Sequence, residues 1–325
     1  MRRAIEVAAT ARLRTAPNPW VGAMLVCVDG RAFEGATEPP GQRHAERVAI
    51  DAAATAGADT TGATMYTTLE PCSHHGRTPP CVEALVSAGV RRLVFAIGDP
   101  DPRVAGTGHA MVAAAGIQVD HGVCADAVTE QLHAYLHHRR TGRPYVVLKL
   151  AATLDGRTAA ADGTSQWITG AEARVEVHRL RAESGAVIVG AGTVRADNPS
   201  LTVRHVHGPD PRRIVLGRAP ADAKVHPCLE WTGPVPDLLD RLGTEGVVQV
   251  MVEGGATVAA SFHKAGFVDR YVVHFAPAFM GGDDGPAMLA GLGATTIGKL
   301  QRGRIVSVRL LGDDLEIQLV PSENP

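Results

Sequence analysis

Apolar positions change period several times along this 325-residue chain, and each change marks an element. Ile5, Ala8, Ala9 and Leu13 recur at helical spacing, with Arg2, Arg3, Arg12 and Arg14 mostly on the other side, which predicts a first helix. With no apolar h-region, this arginine-rich start does not read as a leader. After the rigid Pro17-Asn18-Pro19 turn, residues 23–28 predict a buried strand ending at Asp29-Gly30, a hairpin signal. Helices are expected over 44–56, 81–87 and 108–115, the last two closed by Gly89 and Gly116, with strands over 63–69, 91–97 and 117–121. Strands alternating with helices imply a three-layer α/β domain.

A helix over 126–140 would carry Val128, Leu132, Tyr135 and Leu136 on one side, and Thr141-Gly142-Arg143-Pro144 reads as a linker. The alternation then restarts, with strands at 145–151, 186–189, 213–216, 248–252 and 269–275 and helices at 171–183, 236–243 and 257–264. A hairpin from 305–310 to 315–320 closes the chain. Two α/β domains are therefore expected, 1–143 and 144–325, each long enough for its own core. No run of 18 apolar residues occurs, so no membrane-spanning helix is expected.

Chemistry concentrates in His44-Ala45-Glu46 and in Pro71-Cys72, answered by Pro79-Pro80-Cys81. One imidazole and two thiols can take three corners of a zinc tetrahedron, and Glu46 stands close enough to exchange protons with a water on the fourth. This is the ligand logic of the zinc deaminases, here with eight residues between the two cysteines where most have two. A purely structural zinc would recruit His74 or His75 as a fourth ligand, and would leave Glu46 unexplained. His44 and Cys81 each open an expected helix, so the metal would sit between helix N-termini whose partial positive charge favours thiolate.

Composition narrows the partners. Hydrophobic residues make up 45% and charged residues 20%, and the formal net charge is −2, so no global field draws the protein to nucleic acid or to an anionic membrane. Small molecules are the expected partners, and a homo-oligomer stays open. Five cysteines, an odd and sparse set, argue for a reducing, cytoplasmic setting without disulfides. In the second half Gly190-Ala-Gly192 follows a strand but lacks the third glycine of a dinucleotide fingerprint. Glu253-Gly254-Gly255 runs from a strand into a helix, which suits either a cofactor phosphate or tight packing.

The first half resembles the deaminase domain of the bifunctional riboflavin-biosynthesis deaminase/reductase family. The resemblance rests on Thr15-Ala16-Pro17-Asn18-Pro19-Trp20-Val21-Gly22, His44-Ala45-Glu46, Thr68-Leu69-Glu70-Pro71-Cys72 through Cys81, and Asp99-Pro100-Asp101 through Gly108. The second half resembles the family's reductase domain, similar in fold to dihydrofolate reductase, through Lys149-Leu150-Ala151 to Gly156, Ser165-Gln166-Trp167-Ile168-Thr169-Gly170, Gly192 to Pro199, Leu201-Thr202-Val203-Arg204 and Val252-Glu253-Gly254-Gly255. Departures are Thr37, where the family usually has His, a shorter stretch over 205–236, and Arg218, where a small polar residue is common.

The resemblance implies an α/β chain with a zinc cytidine-deaminase-like three-layer domain followed by a dihydrofolate-reductase-like domain. It implies hydrolytic deamination of 2,5-diamino-6-ribosylamino-4(3H)-pyrimidinone 5′-phosphate by zinc-activated water, then reduction of the ribosyl group to ribityl by NADPH. His44, Cys72 and Cys81 would hold Zn2+, Glu46 would be catalytic, and Asn18 and Asp101 would hold the pyrimidine. Ser165, Arg181, Leu201, Arg204 and Glu253 match substrate positions. Ala151, Trp167, Thr193, Asp197, Gly255, Ala256, Thr257, Val258, Ala259, Ala260 and Ser261 match NADPH positions. Two other readings predict different features. A nucleic-acid base deaminase with an appended domain would need a basic groove and aromatic platforms, against 4% aromatic residues here. A nucleotide-binding regulator without catalysis would show a damaged zinc or cofactor set, and the zinc set is intact.

Overall fold

A computed structural model describes residues 1–74, 78–101 and 106–322, and divides the chain into two compact units, Met1–Arg143 and Pro144–Pro325. His75, Gly76 and Arg77, within the stretch from Cys72 to Cys81, and residues 102–105 after Asp101 lie outside the described residues.

In the first unit, strands β1 (Gly22–Val26) and β2 (Ala32–Ala36) form the hairpin expected at Asp29-Gly30, where Gly30 takes a φ of 87°. With β3 (Thr64–Leu69), β4 (Arg92–Ile97) and β5 (Gln118–His121) they make one sheet in the order β2-β1-β3-β4-β5. The hairpin and the β1/β3 pair are antiparallel; β3, β4 and β5 run parallel. Helices α1 (Arg2–Ala9) and α2 (Ala45–Thr55) lie directly on the backbone of the hairpin. A Cβ on Gly22 would fall 2.0 Å from the Ala4 carbonyl oxygen, and one on Gly35 would fall 2.0 Å from that of Ala45. Gly35 pairs with Ala23, the neighbour of Gly22, so the two glycines face opposite sides and the unit has three layers. The close approach also corrects the first helix. Its buried side chains are Ala4, Val7 and Ala8, while Ile5 is half-buried and Ala9 exposed, because the turn carrying Ala4 and Ala8 is the one that touches the Gly22 backbone.

Helices α3 (Cys81–Ser87) and α4 (Thr107–Ala114) occupy their expected places. The single helix expected over 126–140 is broken into α5 (Ala125–Gln131) and α6 (His133–Thr141). Leu132 at the break has φ −98° and ψ 13° and is fully buried, and the Gln131 Nε2 donates to the Ile5 carbonyl 2.8 Å away, so a tertiary tie to α1 competes with helix continuation.

The second unit is an eight-stranded sheet in the order β12-β13-β11-β6-β10-β7-β8-β9. These strands are β6 (Tyr145–Thr153), β7 (Ala186–Gly190), β8 (Arg212–Leu216), β9 (Leu229–Trp231), β10 (Gln249–Val252), β11 (Arg270–Ala276), β12 (Gly303–Leu311) and β13 (Asp314–Pro321). From β11 to β9 neighbours run parallel, and the β12/β13 hairpin adds antiparallel to β11. Parallel strands buried on both faces read as continuous apolar runs, as in Val146, Val147 and Leu148 of β6. Between them come α7 (Ala171–Glu183), α8 (Ala191–Asp197), α9 (Val235–Thr244) and α10 (Ala256–Lys264). On one face Ile188, Val250 and Val252 pack with Leu238, Leu239, Leu242 and Phe262; on the other Val187, Val189 and Val215 pack with Val194, Leu201 and Val225. Alternation along β7 thus feeds two cores. The seven-residue α8 and three-residue β9 are too short to leave a readable period. Among the described residues no helix is long and apolar enough to cross a membrane.

Candidate active sites

The first site is built at helix starts. His44 is the N-cap of α2 with φ −78° and ψ 163°, while Cys81 is the first residue of α3, after an N-cap Pro80 whose ring favours helix entry. Cys72 follows the end of β3. Its Sγ lies 3.5 Å from His44 Nδ1, and Cys81 Sγ lies 3.4 Å from the same nitrogen. Zinc bonded tetrahedrally to sulfur and nitrogen separates the two by about 3.6 Å, so both edges fit. Among the described residues His44, Cys72 and Cys81 are the metal-capable group, with donor atoms within 4.8 Å of one another. His74 is exposed and outside that group, so among the described residues the site has three protein donors, as a catalytic zinc site does. The Thr78 hydroxyl stands 3.4 Å from His44 Nε2, where it can fix the ring's tautomer and orientation.

Glu46 lies in the first turn of α2 and is 3% exposed. Burial, with the nearby Cys72 thiolate adding to it, pushes its carboxyl above the usual range. The thiols share protons unequally. A hydrogen bond from Cys81 and then the His44 ring bring Cys72 down to about 4, while that same sharing and burial push Cys81 up. Zinc bound here would take both sulfurs as thiolates. Cys81→Ser should lower bound zinc from about one per chain to nearly none by metal analysis, because a hydroxyl replaces one of three anchoring ligands. Full retention would show that the donor set is wrong.

Asn18 is half-buried, its N–H donating to the Thr15 carbonyl at 2.8 Å. Asp101 is buried, and its N–H donates to Asp99 Oδ1 at 2.9 Å. Thr37 is buried and tied to Val21, whose N–H donates to its hydroxyl at 3.0 Å. At this position the side chain clamps the entry to β1.

The second site lies at the C-terminal ends of the parallel strands, where open α/β sheets bind ligands. Glu253, just past β10, accepts from Arg181 Nε at 2.9 Å and Nη2 at 2.7 Å, a two-pronged pair with Arg181 only 8% exposed. Arg181 Nη1 also donates to the Thr202 carbonyl at 3.1 Å. Burial opposes ionisation of Glu253, yet Arg181 and Lys149 hold its carboxyl below the usual range. Lys149 on β6 has its own pKa lowered by burial. The motif comparison left Lys149 out of the site residues, and only the folding of β6 beside β10 brings it to Glu253. Arg204 is exposed, and its Nη1 donates to the hydroxyls of Ser200 and Thr202. His178 accepts from Arg204 N at 3.1 Å and is pushed down to about 4 by burial and by Arg181 and Arg204, so it is neutral.

Leu201 is 2% exposed, with its side chain in the apolar core, and has a φ of +53°. An L-residue there costs about 1–2 kcal/mol, so the turn is held by its surroundings. Thr193 Oγ1 accepts from Gly255 N at 3.2 Å, joining α8 to the start of α10. Gly254 is demanded by packing, since a Cβ there would meet Val258 at 2.7 Å. Gly255 has no such conflict, its nearest contact being Thr193 at 3.5 Å. Space is thus left beside residue 255 for a phosphate at the start of α10, where the amides of the first helical turn lack partners in the helix itself, which fits a dinucleotide at this turn. Ala259 and Ala260 are buried, whereas Ala256 and Val258 are half-buried and Thr257 and Ser261 exposed. Ala151 and Ser165 are half-buried, Asp197 is exposed, and Trp167 is 69% exposed with Arg174 4.9 Å above its ring. Beyond β8, Arg218 stands 4.0 Å from Glu230, and both line an open cavity of 640 Å³ with His226 and Cys228.

A three-donor zinc site on a three-layer unit, followed by a dihydrofolate-reductase-like unit, defines a zinc deaminase fused to a reductase. The family described as the cytidine and deoxycytidylate deaminase zinc-binding region matches residues 1–97, and the RibD C-terminal domain family matches residues 144–317. The riboflavin biosynthesis protein RibD of Mycobacterium tuberculosis is 40% identical over 333 residues, covering 98% of this chain and 96% of that protein. RibD of Escherichia coli is 36% identical over 364 residues, covering 98% of each chain. The solved diaminohydroxyphosphoribosylaminopyrimidine deaminase/5-amino-6-(5-phosphoribosylamino)uracil reductase of Thermotoga maritima is 32% identical with a TM-score of 0.90, covering 99% of this chain and 97% of that one. The chain belongs to the RibD family. It is a bifunctional deaminase and reductase of the riboflavin pathway, with zinc and NADPH as its cofactors.

Proposed function

We propose that unit 1–143 hydrolyses the ring amino group of 2,5-diamino-6-ribosylamino-4(3H)-pyrimidinone 5′-phosphate and that unit 144–325 then reduces the ribosyl group to ribityl. The observation that carries this reading is the His44, Cys72 and Cys81 trio with Glu46 buried beside it. Zinc held there supplies Lewis acidity that brings a water toward ionisation near neutral pH. Glu46 takes a proton from the water as the water's oxygen bonds the amino-bearing ring carbon, and passes it to the ring nitrogen. It then takes the remaining proton of the new hydroxyl and delivers it to the amino group, which leaves as ammonia while the carbonyl forms. Asn18 and Asp101 hold the pyrimidine.

NADPH bound in the second unit would supply hydride to C1′ of the ring-opened ribosylamine, whose ring C–O bond has broken to leave an imine, and a proton on the nitrogen completes the ribitylamine. Ala151, Trp167, Thr193, Asp197 and the turn from Gly255 to Ser261 hold it, with Leu201 and Ser165 shaping the substrate side. Arg181 is engaged with Glu253, so Arg204, with the Ser200 and Thr202 hydroxyls beside it, takes the substrate phosphate. The partners are small molecules, and all five cysteines are free, as a cytoplasmic setting requires.

A fragment ending at Arg143 should deaminate without NADPH, since Met1–Arg143 is a compact unit of its own. In the full chain Arg204→Ala should spare deamination and lower the reductase specificity constant by about ten- to a hundredfold, the loss of a charged hydrogen bond of about 1.5–3 kcal/mol. Equal damage to both reactions would end the two-site reading.

A further inference from the structure

Glu70 takes no part in the chemistry above, yet it is a carboxylate only 5% exposed, two residues before the ligand Cys72. Its own N–H donates to the Ile97 carbonyl at 2.9 Å, which fixes it at the end of β4 as well as β3. Its carboxylate reaches across to the start of α4. Oε2 accepts from Gly106 N at 3.1 Å and Oε1 accepts from His109 N at 3.0 Å. Both are donors that a helix start leaves without partners in its own backbone, and an anion is favoured there.

Two further contacts close the same seam. Ser73 Oγ and Thr107 Oγ1 stand 2.6 Å apart, and Gly108 lies so close to Pro71 that a Cβ would fall 2.1 Å from the Pro71 oxygen. Residues 70–73, which carry Cys72, are thus laced to residues 106–109. On the other side of Asp101, Asp99 Oδ1 accepts the Asp101 N–H, and the Tyr135 hydroxyl donates to Asp99 at 3.3 Å. Asp101 is thus anchored by Asp99, and the chain is held again at Gly106 and His109 by Glu70, which is covalently continuous with the zinc ligand.

We propose that Glu70 is a positioning residue of the deaminase, which sets the start of α4 against the Cys72 side of the metal site and so governs how tightly the pyrimidine is held. This rests on the reading that Asp101 holds the pyrimidine. Glu70 touches no reacting atom in this scheme, so proton transfer at Glu46 proceeds without it.

The test is Glu70→Gln in the full chain. An amide keeps the shape but turns one oxygen into an N–H donor facing another donor, so one of the two ties is lost. The deaminase KM should rise by about tenfold or more, with kcat changed by less than about threefold. Zinc content and the reductase activity of the same preparation should be unchanged. An unchanged KM, or a fall in kcat at constant KM, overturns the proposal. If Glu70→Gln loses zinc or its first unit fails to fold, Glu70→Asp decides, since it keeps the charge but is one methylene too short for both donors. A raised KM there supports the proposal and an unchanged one overturns it. Asp101→Ala separates the two layers of inference. If it leaves KM unchanged, the pyrimidine-holding reading itself fails; if it raises KM while the Glu70 variants do not, only the positioning role fails.

Discussion

Glu46→Gln should keep one zinc per chain and full reductase activity while lowering deamination by at least about a hundredfold. The amide fills the same buried space at the start of α2, so His44, Cys72 and Cys81 stay in place and the fold is untouched. What disappears is the carboxylate's ability to accept a proton from water and release it to the ring and the leaving amine. The measurement is the rate of ammonia release alongside metal content and NADPH oxidation on the deaminated substrate. Turnover within a few fold of the native enzyme would reduce Glu46 to an orienting role and leave the proton carrier to be found elsewhere.

Arg181→Met should be the most damaging single change in the second unit. It takes two charged hydrogen bonds from the part-buried Glu253 and leaves Lys149 as its remaining cationic neighbour, a loss of about 1.5–3 kcal/mol. Thermal unfolding of the second unit should fall and reductase turnover with it, while ammonia release continues. The double variant Arg181→Met with Glu253→Leu should recover much of the stability, because replacing both partners by apolar groups removes the stranded charge. Reduction should not recover. Recovery of both would show that the pair serves the fold alone.

Much of the frame was legible because it depends on neighbours along the chain. Helices α3 and α7 fall on the expected residues, since Pro79-Pro80 and Gly170 punctuate their starts, Gly89 follows the end of α3, and α7 is long enough for an apolar period at Ala173, Val177 and Leu180. The trio of zinc donors was legible for another reason. Imidazole, two thiols and an adjacent carboxylate have few other uses in combination, so residue type alone narrows the chemistry. The burial face of α1 and the break at Leu132 were not legible in this way. One depends on the approach of a helix to the bare backbone of Gly22, the other on a hydrogen bond from Gln131 to Ile5. Neither partner is within reach along the sequence.

The sequence by itself determined which groups can do chemistry here and which elements they open, because ligand type, helix punctuation and apolar period are local properties. Tertiary structure decided how those groups are paired and held. It joined Arg181 to Glu253 across 72 positions, brought Lys149 beside them, and set Glu70 against Gly106 and His109. A buried carboxylate must find donors wherever the fold provides them, and which donors those are depends on strand order and register.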